Sequence, residues 1–428
     1  MIVTALIVLL VLLAASIPVA ASIGLLGVVL DKLYSFLPVT RAMGEVSWSS
    51  SHEFLLVSIP LFILLGELLL RSGYAERMYD ALTVWLNWLP GGLNHANIVA
   101  CGLFAATSGS SVATSATVGT VALPQARKHG YNERLFIGSL AAGGTLGILI
   151  PPSVNMIIYG VLTDTSVPRL YLAGLIPGIV LVLIFMAILV IACVARPQWG
   201  GKRLQASWSE RFRSLIHLLP PLLLFLVVVG SIYLGIATPT ESAALGVVAM
   251  MILAAAVGRL NWRVIIDSVE NTVHSTAMIM LIVMAAYFLN FVMTSVGLTD
   301  ALVSSIYSIG ISPNWMLLLV IGLFLILGCF METLSLMITT VPIIAPVMIK
   351  LGFDPIWFGI LVIVLIESAL ITPPVGLNLF VVQNVRRSGP MHDTIIGVLP
   401  FVAGLFLMIG LLVLVPGLAN WLPSVVMG

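Results

Sequence analysis

The chain has 428 residues, of which 60% are hydrophobic and 8% charged, against about 25% charged in an ordinary soluble domain. Its 18 Lys and Arg and 17 Asp and Glu cannot wet the surface of a soluble protein of this length, so the composition specifies a polytopic membrane protein built of helices. The net charge of +1 excludes nucleic acid or any extensive acidic partner surface. Cys101, Cys193 and Cys329 stand far apart, with neither a disulfide framework nor a metal knuckle. No extramembrane run is long enough to form a domain.

About 20 apolar residues cross a hydrocarbon core. Met1–Leu30 carries no charge, no basic start and no small-residue cleavage site, so it reads as a first span kinked at Pro18 and not as a signal peptide. Leu55–Leu70 follows. Tyr74–Leu89 mixes Arg77, Asp80 and Asn87 with Trp85, Leu86 and Trp88, the pattern of an amphipathic helix at the interface. Phe136–Thr163 is uncharged and broken at Pro151-Pro152. Leu170–Ala195 crosses. Leu215–Ala237 and Glu241–Val257 pair across Thr238-Pro239-Thr240. Val264–Thr294 is long, Trp357–Val385 is broken at Pro373-Pro374, and Thr394–Val415 is the last span.

Asn94–Leu123 and Pro313–Ile349 fit no simple span. Their centres, Ala106-Thr-Ser-Gly-Ser-Ser-Val and Gly328-Cys-Phe-Met-Glu-Thr-Leu-Ser, are rich in glycine and hydroxyl residues that favour a turn. Each reads as a re-entrant helical hairpin whose polar tip stops near the midplane, where irregular backbone is tolerated only inside protein or beside water. Two ordinary helices joined outside the membrane, or one span with packed serines, also fit the local sequence.

A repeat favours the hairpins. At an offset of 222, Pro124, Gly130, Phe136, Pro151 and Pro152 match Pro346, Gly352, Phe358, Pro373 and Pro374, and the tips align Ser110 and Ser111 with Glu332 and Thr333. If the hairpin adds no crossing, five spans separate the equivalent points of the two repeats, and an odd number inverts the second repeat. Fourteen of the 18 Lys and Arg then fall on one face, leaving Lys32, Arg41, Arg169 and Lys350 on the other. The richer face is cytoplasmic by the positive-inside rule, with the N-terminus inside and the C-terminus outside. The organisation expected is a scaffold span and loop over 1–51 and a first inverted repeat over 52–195, with its hairpin at about 94–126 and its broken helix at about 132–163. A linking loop and scaffold spans occupy 196–263. A second inverted repeat covers 264–428, with its hairpin at about 313–349 and its broken helix at about 355–386.

Inverted repeats with broken helices are the plan of secondary transporters. A helix interrupted at Pro-Pro leaves carbonyls at one half-helix end and N–H groups at the other, which attract cations and anions respectively. Each break should face the tip of its own repeat. Ser108 and Ser110 with carbonyls around Gly147, Ile150 and Pro152 would make one small oxygen cage, and Gly328 with Ala369, Thr372 and Val375 its mate. Such weakly charged cages suit Na⁺; they lack the His, Cys and clustered carboxylates of Zn²⁺ or Ca²⁺ sites. Glu332 at the second tip reads as an ion ligand or proton-coupled group, and Glu367 as a support for the second break. Glu241 reads as part of a helix cap with Thr238 or Thr240, and Glu67 as a partner of Arg71 at i,i+4. His95, His217 and His274 have no ligand spacing. No HExxH, GxSxG or nucleotide-binding GxxxxGK[ST] is present, so no enzyme motif and no cofactor is expected, and transport would run on an ion gradient.

Six ordered motifs then carry a family resemblance: Pro90-Gly-Gly-Leu, Ser108-Gly-Ser-Ser-Val-Ala-Thr, Leu149-Ile-Pro-Pro-Ser, Ala173-Gly-Leu-Ile-Pro-Gly, Thr238-Pro-Thr-Glu-Ser-Ala-Ala and Ile371-Thr-Pro-Pro-Val-Gly-Leu-Asn. They resemble the large membrane subunit of TRAP (tripartite ATP-independent periplasmic) transporters over almost the whole chain. The resemblance implies an elevator-type Na⁺-coupled importer in the bacterial inner membrane. It also implies a periplasmic substrate-binding protein and a small four-helix membrane subunit, here as a separate chain. It places ion sites at Ser108–Ser111 with Gly147–Pro152 and at Gly328–Thr333 with Ala369–Val375, and makes Thr107, Ser111, Asn155, Thr333 and Asn378 substrate-facing. Family solutes are mostly small organic acids; a tip rich in Ser and Thr but without arginine leaves zwitterions and sulfonates open. A standalone dicarboxylate or citrate carrier of the same superfamily is the alternative, with a membrane scaffold or intramembrane enzyme more distant.

Overall fold

A computed structural model describes residues 1–35, 39–202 and 206–427, the side chains of Ala106, Thr107, Ser108, Tyr307 and Ile309 excepted. Arg203, one of the basic residues assigned to the richer face, lies outside the described residues. Every regular element among the described residues is helical.

The first stretch corrects an expectation. It forms α1 (Ile2–Ala14) and α2 (Val19–Tyr34). Between them Ser16 adopts φ 58°, and Pro18 has no N–H with which to continue the first helix. The chain reverses, and Thr4 Oγ1 comes within 2.6 Å of Tyr34 Oη. Residues 1–51 therefore hold an antiparallel pair of short helices followed by α3 (Met43–Ser51), not one kinked span and a loop. Met1 consequently shares a side with Tyr34, which reverses the expected position of the N-terminus relative to Lys32 and Arg41.

Next come α4 (Ser58–Arg71) and α5 (Tyr74–Leu86). The latter is amphipathic as read, but its apolar face of Tyr74, Met78, Tyr79 and Leu82 is buried against protein instead of resting in lipid. It packs on the hairpin formed by α6 (Gly92–Ser108) and α7 (Ser111–His129). The first broken helix comprises α8 (Glu133–Gly144), a further turn α9 (Leu146–Leu149), and α10 (Val154–Thr163), with a bend of 42° at the break. It is followed by α11 (Val167–Ala195).

The linking region holds α12 (Trp208–Ser214), α13 (Leu219–Phe225), α14 (Ser231–Tyr233) and α15 (Pro239–Ala256). The expected cap is present: Thr238 Oγ1 accepts from Glu241 N at 3.3 Å, and the Glu241 carboxylate accepts from Thr238 N at 2.8 Å, a reciprocal box of about 1 kcal/mol. The second half runs α16 (Trp262–Ser295), α17 (Leu298–Ile309), α18 (Pro313–Gly328) and α19 (Thr333–Lys350), then α20 (Pro355–Ile371), α21 (Leu377–Arg386), α22 (Met391–Leu414) and α23 (Gly417–Met427). The sequence reading did not separate α3, α12, α17 or α23 as elements; α23 packs on α11 and α20. Among the described residues six helices are long and apolar enough to cross a membrane, or eight if each bent pair is one span.

The repeat is carried by the elements themselves. From α6 to α11 and from α18 to α22 the order is hairpin, broken helix, long helix, and left-handed Gly130 and Gly352 follow the two hairpins. The repeats are inverted. Arg386 at the end of α21 forks onto Glu133 at the start of α8, both bonds 2.9 Å. Tyr159 in α10 donates to the Pro355 carbonyl at the start of α20, at 2.7 Å. Each broken helix thus begins where the other ends. Leu135–Gly144 of α8 and Trp357–Ile371 of α20 are buried at every position, as helices apolar on all sides must be, so the two crossed broken helices form the centre of the molecule.

Candidate solute cavity and ion sites

Local chemistry shapes each tip. At the first, Gly109 turns the chain with φ +60°, and Ser110 takes an extended conformation and caps α7, its Oγ accepting from Ala113 N at 3.3 Å. At the second, Glu332 occupies the same structural position: extended, it caps α19 through its carboxylate, which accepts from Leu334 N and Ser335 N, each at 3.1 Å. The aligned pair Ser110 and Glu332 are therefore both N-caps. The carboxylate turns to its own helix and lines a cavity; no described bond takes it to the second break.

The breaks match as closely. Ile150 and Thr372, each preceding a proline, adopt φ −85° with ψ 122° and 124°, because a following proline ring excludes the helical conformation. Both Pro-Pro bonds are cis. Ser153 then caps α10 by accepting from Met156 N.

Each break faces the tip of its own repeat, as expected. At Gly147 a side-chain carbon would lie 2.8 Å from the Ser111 backbone, and at Gly328 one would lie 2.2 Å from Ala369 Cβ. Glycine at both positions is what lets tip and break touch. Of the first predicted group, Gly147 touches Ser110 and Ser111 and the Pro152 carbonyl lies beside Gly109, while the Ile150 side chain packs against Gly102 and Gly178. The side chains of Thr107 and Ser108 lie outside the described residues. The second group gathers Gly328 against Ala369, with Cys329 Sγ 3.9 Å from the Pro373 carbonyl. Val375 lies in the segment joining α20 to α21. The Thr372 hydroxyl donates to Ser368 O at 2.6 Å, within its own helix.

A cavity of about 410 Å³ lies between the tips. It is lined by Ser110–Ala113 and Glu332–Leu334 from the tips, by Ile148, Val154, Asn155, Leu370 and Leu377 from the broken helices, and by residues of α4 and α16, among them Glu67 and Ser275. Ser111, Asn155 and Thr333 meet here. Asn378 does not. It is fully buried, its Nδ2 reaches Ala141 O at 3.4 Å and it packs on Gly144, because α21 lies on α7, α8 and α22. Glu67 pairs with Arg71 as read, and also accepts from Asn271 Nδ2 at 3.3 Å, joining α4 to α16.

Glu367 is the residue sequence reasoning misplaced. It does not support the second break. It is fully buried and crosses the repeat boundary: its Oε1 accepts from Ser111 Oγ at 2.9 Å and from Ile148 N at 3.1 Å, and its Oε2 lies 3.2 Å from Ser111 Oγ. One carboxyl group of the second repeat thus holds both tip and break of the first. The equivalent position in the first repeat is Thr145, whose hydroxyl bonds within its own helix, to Ala142 O.

Residues 6–418 match the family described as tripartite ATP-independent periplasmic transporter, DctM component. The C4-dicarboxylate TRAP transporter large permease protein of Pseudomonas aeruginosa is 37% identical over 94% of this chain and 94% of its own length. Its counterpart in Vibrio cholerae is 34% identical over 96% and 95%. Among solved structures, the YdaH transporter of Alcanivorax borkumensis superposes with a TM-score of 0.56 at 16% identity, covering 87% of this chain and 88% of that one, a likeness of fold. With two inverted repeats, a cavity between their tips and a family match over nearly its whole length, the chain is a multi-pass transporter component and not an enzyme, and it belongs to the DctM family of TRAP transporter large permeases.

Proposed function

We propose that the chain is the large transmembrane subunit of a sodium-coupled, binding-protein-dependent importer of a small organic acid or related solute, working by an elevator mechanism in the bacterial cytoplasmic membrane. The observation that carries this is the seating of each hairpin tip on the broken helix of its own repeat, with a cavity between the tips. Na⁺ enters the first cage at Ser108, Ser110, Gly147, Ile150 and Pro152 and the second at Gly328, Ala369, Thr372 and Val375, and orders the re-entrant tips. Solute then binds against Thr107, Ser111, Asn155 and Thr333. The ions matter only through their different affinity for open and closed tips.

The two hairpins and two broken helices move as one body. Arg386–Glu133, Glu367–Ser111 and Tyr159–Pro355 tie them together, and the cavity lies at their boundary with α4 and α16, which belong to the fixed scaffold. A periplasmic binding protein delivers the solute, and a small four-helix membrane subunit braces the scaffold. The arginine-rich face is cytoplasmic. The N-terminal helix pair then returns Met1 to the periplasmic side with Lys32 and Arg41, while the C-terminus remains periplasmic. Thermal unfolding of the full chain in lipid nanodiscs, titrated with Na⁺ against K⁺, tests the ion sites. A ligand of the folded state alone raises stability with its concentration, so Na⁺ should stabilise the wild type more than K⁺ does, and less so in Ser110→Ala or Thr372→Gly. Equal effects of the two cations would overturn the coupling.

A further inference from the structure

The two repeats meet the cavity with opposite charge. The first presents the amino ends of α7 and α10, helices of 19 and 10 residues capped by Ser110 and Ser153, whose N–H groups favour an acid group. Asn155, in the first turn of α10, lines the same cavity while only 2% exposed, and its Nδ2 has no hydrogen-bond partner among the described residues. A buried amide donor without a partner is a place for an acceptor.

The second repeat offers the equivalent amino end, that of α19, but its cap is a carboxylate. Glu332 accepts from Leu334 N and Ser335 N, and from Thr333 Oγ1 at 2.7 Å. Its full negative charge outweighs the roughly half-unit positive charge of a helix end. Among the described residues it has no ion-pair partner, and no Lys or Arg lines the cavity. The other lining carboxylate, Glu67, is paired with Arg71. A dicarboxylate would set its second acid group against Glu332, a like-charge contact that selects against it.

We propose that the solute is a zwitterion, its acid group held by Asn155 and the helix ends of the first repeat and its cationic group facing Glu332. This rests on the cavity being the solute site proposed above. The test uses the full chain in nanodiscs with Na⁺ and matched probes that differ only in an ammonium or a hydroxyl group: taurine against isethionate, and β-alanine against 3-hydroxypropionate, with succinate as the dianion. Binding is read by calorimetry. The ammonium member of a pair should bind about tenfold or more tighter, the scale of a hydrogen bond to a charged group. Glu332→Gln should remove that preference, and Glu332→Asp should keep it. Succinate or a hydroxyl member binding as tightly as the ammonium member overturns the assignment but leaves the carrier reading standing, as does a preference that survives in Glu332→Gln. Silence from every probe while Na⁺ still stabilises the chain also overturns it; silence together with no response to Na⁺ overturns the carrier reading as well.

Discussion

The two ends of the crossed broken helices are joined by different chemistry. At the arginine-rich face Arg386, its side chain only 3% exposed, forks onto Glu133 and reaches Asp393 at 3.3 Å, while Arg134 also bonds Asp393 at 2.7 Å. Arg127 adds hydrogen bonds to the Arg386 carbonyl and to Ser388. At the opposite face one phenol, Tyr159, meets one carbonyl, Pro355. Glu133 and Pro355 are equivalent residues at the fixed offset of 222. Backbone and small residues obey the symmetry and build two similar tip–break contacts. Charged side chains break it, and they decide which face is locked by ions, which tip carries a carboxylate and which repeat reaches across to the other.

The comparison can be broken in order of expected effect. Arg386→Ala removes the fork from Glu133 and one of the two arginines bonded to Asp393. Removing one partner of a buried pair costs about 3–5 kcal/mol, which we reduce to roughly 2–4 because Glu133 stays partly in water; thermal unfolding in nanodiscs should show it, with Glu133→Gln restoring part of the loss. Glu367→Leu leaves the Ser111 hydroxyl and the Ile148 amide unpaired, about 1–3 kcal/mol, whereas Glu367→Gln retains an acceptor and should stay close to wild type. Gly328→Ala collides with a side chain, Ala369, and Gly147→Ala with backbone. Each should cost about 1–3 kcal/mol by overpacking, but the partner change Ala369→Gly should rescue the first, while no side-chain change relieves the second. Tyr159→Phe, losing one hydrogen bond, should cost only about 0.5–1.5 kcal/mol. A Tyr159→Phe effect as large as that of Arg386→Ala would remove the contrast between the two faces.

Much of this was legible because it is local. Pro-Pro inside an apolar run marks a break wherever it occurs, the glycine and serine run at 108–111 marks a turn, and Thr238 with Glu241 spells a cap. The offset of 222 shared by Pro124, Gly130, Phe136, Pro151 and Pro152 revealed the repeat. What escaped depends on partners distant in sequence. Pro18 reads as a kink until Thr4 is seen beside Tyr34. Glu367 finds Ser111 across 256 positions, and no periodicity encodes that. Asn155 and Asn378 each stand just beyond a Pro-Pro break in the sequence, yet packing leaves one on the cavity and covers the other. Tyr74–Leu86 showed its amphipathic pattern, but not whether lipid or protein would cover the apolar face.

The central claim is that a sodium gradient drives solute through the cavity between two inverted tips. Solute uptake into proteoliposomes carrying the chain with its small membrane subunit, supplied with the loaded binding protein, tests it most directly. The account predicts accumulation above the bath concentration only under an inward Na⁺ gradient, falling to equilibration when that gradient is dissipated; accumulation that persists without it would contradict the account.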